Sequence, residues 1–182
     1  MKSLIIIILS VFTIQLNAQD ILMSPNANIS FFSSTPIEDI AAKSDKAVAA
    51  INVKTKDVFF KVQMSSFVFK KSLMQEHFNE NYIESEKYPT GTLKGKINED
   101  VDLTKNGTYN VTVTGDFTIH GVTQNRIFPG TIVVSDGQLE ITCAFDVKLA
   151  DYKIEIPTVV LKNIAESVAV KVNGVLKPLP PK

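Results

Sequence analysis

A set of antiparallel β-strands with one shared apolar face, closed into a sandwich or a barrel, is the fold class this sequence predicts. Several windows alternate apolar and polar residues, which is the pattern of a strand with one buried face. Turn residues separate these windows at short intervals. The chain is 45% hydrophobic over 182 residues and has a single cysteine, Cys143. No intramolecular disulfide is therefore available, and the fold must be held by its core.

The first segment is read as a secretory signal rather than as part of the fold. Lys2 precedes the apolar run Leu4 to Ile8, which continues through Val11, Phe12, Ile14 and Leu16 to Asn17-Ala18-Gln19. The run is shorter than the roughly 20 residues that span a bilayer and ends on a small residue, so cleavage after Ala18 is expected. No cysteine follows it for lipid attachment, and no permanent membrane anchor is expected. Residues 19–182 then form one exported domain. Without Lys2 this domain carries 18 basic and 19 acidic residues. A net charge near zero argues against a nucleic-acid partner.

The clearest strands come late in the chain. In Thr108 to Ile119, Tyr109, Val111, Val113, Gly115, Phe117 and Ile119 share one face. In Leu139 to Leu149, Leu139, Ile141, Cys143, Phe145, Val147 and Leu149 do the same. Shorter strands are expected at Val58 to Met64, Thr92 to Ile97 and Val168 to Val172. Less regular ones are expected at Asn28 to Ser33, Ala47 to Lys54 and Arg126 to Val134. Pro129 in the last of these lacks an N–H and forces an edge or a bulge. Turns fall at Lys54 to Asp57, Asn98 to Asp100, Lys105 to Gly107, His120-Gly121 and Ser135 to Gly137.

One segment has helical spacing. Ser72 followed by Gln75 reads as a capping box, and Leu73 with His77, and Met74 with Phe78 and Tyr82, recur at i, i+4. This short helix is expected to end before Tyr88-Pro89 and to act as a plug or lid over one end of the β-structure. The tail Lys177 to Lys182 is too proline-rich to pack as a strand.

The residues that enzymes use are sparse. His77 and His120 lie on different elements without zinc-ligand spacing, so neither a metal nor another cofactor is expected. Cys143 shares a face with Ile141 and Phe145, where burial makes a thiol inert. His77 reads as a packing residue with one ring nitrogen bonded to the backbone, or as a polar contact to a ligand. His120 reads as a hydrogen-bonding residue of a turn. The chain is not expected to be an enzyme.

Three segments resemble the YceI-like family of exported lipid-binding proteins. They are Phe69 to Pro89, with His77-Phe78 and Glu86-Lys87-Tyr88-Pro89; Gly115-Asp116-Phe117-Thr118-Ile119-His120-Gly121-Val122-Thr123; and Asp151-Tyr152-Lys153-Ile154. The chain departs from the better-known branch at Asn79 to Ser85, where a more aromatic run is usual. The resemblance implies an eight-stranded antiparallel lipocalin-like barrel with one short helix, in the periplasm or secreted. It also implies a polyisoprenoid or similar long-chain amphiphile in the lumen, such as an isoprenoid quinone or a fatty-acyl lipid. The lining candidates are Phe67, Phe69, Met74, Phe78, Val113, Phe117, Cys143 and Phe145, with His77 and Tyr82 nearest the polar end. Periodicity alone leaves open whether the interior is a cavity or is filled by side chains. Small Gly95, Gly115 and Cys143 favour room, whereas Phe60, Phe117 and Phe145 favour filling. A filled barrel would suit a structural or interaction module of the envelope. A monomer or a homodimer is expected.

Overall fold

The computed structural model describes residues 20–156 and 165–179. The expected signal segment, residues 1–18, lies outside the described residues. The elements are β1 (Ile21–Ser34), β2 (Asp39–Asn52), β3 (Asp57–Gln63), β4 (Val68–Phe69), α1 (Ser72–His77), β5 (Thr90–Ile97), β6 (Gly107–Ile119), β7 (Val122–Ser135), β8 (Gln138–Lys148) and β9 (Ser167–Pro178).

Eight long strands run in the order β1-β9-β8-β7-β6-β5-β3-β2, and β1 pairs again with β2. The sheet therefore closes on itself as an antiparallel barrel. The two-residue β4 continues the β3 edge along β2, pairing Val68 with Lys43 and Phe69 with Ala42. Between β3 and β4 the chain makes a 3-10 turn at Met64–Ser66, filled by a 2.7 Å hydrogen bond between the Ser44 and Ser66 hydroxyls.

Antiparallel order sorts the strand ends into two rims. At one rim Leu22, Ile51, Ile97, Val134, Leu139 and Leu176 are all buried. The β5–β6 loop crosses this end and buries Leu103. It is anchored by Glu99, whose carboxylate accepts hydrogen bonds from the Thr112 N–H and hydroxyl, both at 2.8 Å. The Thr112 hydrogen bonds hold that carboxyl below its ordinary value. The barrel is closed here, and the opposite rim carries α1.

Two tight turns follow from the sequence as expected. His120-Gly121 and Asp136-Gly137 both have positive φ at both residues, the geometry of a two-residue hairpin turn matched to strand twist. Other details differ from expectation. The Ser72/Gln75 capping box does not form: Lys71 is the N-cap, without a side-chain cap bond. The Gln75 side chain instead accepts a hydrogen bond from the Phe69 N–H at 3.3 Å, because α1 follows directly on β4 and serves to hold it.

Gly95 and Gly115 also do not make room in the lumen. They are cross-strand partners, and a Cβ at Gly115 would lie 2.5 Å from both the Gly95 Cα and the Lys94 carbonyl oxygen. Their smallness lets β5 and β6 approach, which is a backbone role.

Candidate functional site

The inward side chains do not fill the barrel. A cavity of about 480 Å³ runs along its interior, and its walls are mostly apolar. All ten residues singled out from the sequence border it: Phe67, Phe69, Met74, His77, Phe78, Tyr82, Val113, Phe117, Cys143 and Phe145. Sequence reasoning missed Phe31, Ile40, Gly91 and Phe128. For Phe31 and Phe128 the signal was present as alternation, with Ile29, Phe31 and Ser33 on one face and Phe128, Ile132 and Val134 on another. Pro25 and Pro129 obscured it.

The rim at α1 is aromatic. The helix has six residues and passes into a single π-turn, Phe78–Tyr82. This brings Phe78 against three other rings, with centroids 5.5 Å from Phe31, 5.7 Å from Phe67 and 5.1 Å from Phe69. Such π-turns are frequent at functional sites. α1 itself buries none of its residues fully, so the aromatic cluster rather than the helix covers this rim.

Polar groups are few and gather at this rim. Lys71 pairs with Glu38 at 2.6 Å, tying the start of α1 to the β1–β2 turn, and both side chains border the cavity. Burial raises the Tyr82 phenol above its ordinary value. His77 is exposed and has no hydrogen-bond partner among the described residues. The expected backbone bond to its ring is therefore absent, and its position on the cavity border leaves it available to a ligand.

Cys143 fits the expectation of an inert thiol: burial pushes it up to about 11. His120 does more than stabilise its turn. Its Nδ1 lies 3.0 Å from the Tyr152 carbonyl oxygen and its Nε2 2.8 Å from the Glu84 carboxylate. Tyr88 packs edge-on against the ring, with centroids 4.6 Å apart. Each ring nitrogen faces one oxygen acceptor. The β6–β7 turn is thus pinned to the segment after the π-turn and to the 3-10 turn at Leu149–Tyr152.

This pin makes stability depend on acid. The hydrogen bond from His120, followed by the nearby Lys87, lowers the Glu84 pKa below its ordinary 4.5. A lowered carboxyl contributes stability above its unfolded value and loses it as pH falls through the folded one. Glu84→Gln should therefore be less stable than the wild type above the ordinary 4.5, with the gap closing as pH falls below it. Urea melts across that window read the effect. A gap that is constant with pH would remove Glu84 from the pin.

A closed up-and-down barrel with an apolar lumen and one aromatic rim is a container of the lipocalin-like class. The chain belongs to the YceI-like domain family, whose model matches residues 23–176. No curated protein sequence matches it. Among solved structures it is similar to a polyisoprenoid binding domain from Saccharophagus degradans implicated in plant cell wall breakdown. The identity is 16%, over 88% of this chain and 99% of that one, with a TM-score of 0.75. It is also similar to Burkholderia cenocepacia BcnA, at 17% identity over 82% and 95% of the two chains, with a TM-score of 0.66. A Campylobacter jejuni YCEI protein follows at 15% identity, over 71% and 78%, with a TM-score of 0.56. At these identities the structural likeness speaks for the fold.

Proposed function

We propose that this protein is an exported carrier or reservoir that sequesters a polyisoprenoid or similar long-chain amphiphile in its barrel. The observation that carries this reading is the apolar cavity of about 480 Å³, closed at one rim and bordered at the other by α1 and the π-turn. The polyisoprenoid-binding domain with which it shares a fold supports the ligand class. The signal-like residues 1–18 support export to the periplasm or beyond.

Each buried methylene contributes about 0.8 kcal/mol, while ordering a flexible chain costs part of that gain. Affinity saturates near 18 to 21 kcal/mol, so beyond some length the cavity volume selects the ligand, not the added contacts. His77, Tyr82, Lys71 and Glu38 give the α1 rim the polar character that the rest of the lining lacks. The reading is of a binding protein, since the lumen offers an apolar wall rather than a nucleophile and base.

Native mass spectrometry of protein purified from its own cells without detergent should show an adduct. Organic extraction should release an isoprenoid, quinone or fatty-acyl species. Protein that carries no lipid, and takes up none from vesicles, would overturn the reading in favour of a structural or interaction module.

A further inference from the structure

The barrel wall is not continuous on the side of β7 and β8. These strands pair from Gly130 with Cys143 to Ser135 with Gln138, and no further. The first half of β7, Val122 to Pro129, stays paired with β6. The second half of β8, Ala144 to Lys148, stays paired with β9. Between them lies a slot without strand-to-strand pairing, across which the Phe128 and Phe145 rings pack. Pro129, which has no N–H to donate, sits where the slot begins; this is the edge its presence predicts. Thr131 and Thr142, whose side chains alternate outward from Ile132 and Cys143, also border the cavity.

Arg126 spans this slot. It is the single arginine among 19 basic residues. Its strand parity matches the inward Phe128 and Ile132, and it is half-buried beside the residues that border the cavity. One Nη2 donates to the Asp146 carbonyl oxygen at 2.8 Å, replacing one missing strand-to-strand bond. The guanidinium carbon lies 5.4 Å from the Phe128 centroid and 5.8 Å from that of Phe145. Both rings border the lumen and are themselves 4.8 Å apart. Among the described residues no carboxylate lies within ion-pair distance of Arg126. A guanidinium has five N–H donors in a planar fork suited to carboxylate or phosphate. One is engaged by Asp146; the other donors have no hydrogen-bond partner among the described residues, and the two rings beneath them border the cavity.

We propose that Arg126 recognises the anionic head, carboxylate or phosphate monoester, of a single-chain amphiphile whose tail lies in the lumen. This rests on the lumen being a lipid site and names the head class that site prefers. The ring faces beneath the guanidinium partly exclude water, which strengthens its pairing with an anion. A neutral alcohol or ester gains nothing there beyond its tail.

The test is displacement of a neutral fluorescent probe by hexadecanoic acid, its methyl ester and hexadecyl phosphate, at neutral pH and low salt. Wild-type protein should bind the acid and the phosphate about tenfold more tightly than the ester. Arg126→Gln should bind the ester as the wild type does, which also reports that the lumen is intact, and should lose the preference. Arg126→Lys, with a point charge in place of a fork, should fall between. Equal wild-type affinity for acid and ester, or a preference that survives Arg126→Gln, overturns the proposal and leaves the carrier reading standing. Failure of every ligand to bind wild-type protein removes the carrier reading, and this proposal with it. Displacement of the bound acid by millimolar inorganic phosphate would mark a site for free anions and would overturn the amphiphile assignment.

Discussion

Gly115→Val is expected to cost about 3 kcal/mol, at the upper end of what overpacking does, or to prevent folding outright. The reason is geometric. A Cβ at position 115 meets the Gly95 Cα and the Lys94 carbonyl oxygen at 2.5 Å, and both are main-chain atoms on the facing strand. No side-chain rotation relieves such a contact, so β5 and β6 must part. Those strands pair from Thr92 with Thr118 to Ile97 with Val113, and parting them opens the wall beside the lumen. Gly137→Ala is the control. It has φ +71 but nothing within 4 Å of its Cβ, so it should lose only about 1 to 2 kcal/mol of left-handed strain. Urea denaturation of the two variants separates close approach from backbone strain. If Gly115→Val is no less stable than Gly137→Ala, the tight β5–β6 approach is not what Gly115 provides.

The same strand shows what the sequence discloses and what it hides. β6 and β8 were legible almost to the residue, because each alternates without interruption. β1 and β2 were read only in part. β1 begins at Ile21, seven residues before the expected Asn28, and crosses register shifts between Ser24 and Ile29. Pro25-Asn26 reads locally as a turn, but here it lies in a bulge that bends the strand around the barrel. The first half of β2, Ala41 to Lys46, is too small and polar to signal a strand. It is strand because β1 pairs along it, with Ala42 and Ser44 buried.

Closure was not legible from alternation. It depends on β1 pairing with both β2 and β9, and periodicity within a strand says nothing about which strand lies beside it. The ten lining candidates were reachable because inward alternation and the family resemblance point to the same faces. Arg126 was not. A charged residue inside an apolar pattern looks like a strand boundary. Its role emerges only from the halt in β7–β8 pairing and the carbonyl it reaches across the gap.

Cys143→Trp should empty the lumen of lipid without unfolding the barrel, and it is the strongest separation of container from scaffold. Cys143 is half-buried on the inward face of β8, opposite Gly130 on β7 and Val172 on β9. Gly130 contributes no side chain, and all three residues border the cavity. An indole at this position extends into unoccupied space rather than into packed neighbours, so the overpacking penalty of about 1 to 3 kcal/mol that a filled core imposes is largely avoided. The added apolar surface offsets what remains, at about 25 cal/mol per Å² buried. Lipid recovered from the purified variant should fall at least tenfold while the thermal midpoint stays level or rises. If the interior were a filled core, the outcome would reverse: large destabilisation, with no lipid to lose in either protein. Full lipid occupancy in a stable Cys143→Trp chain would place the ligand elsewhere, for instance along the α1 rim, and the lumen would cease to be the binding site.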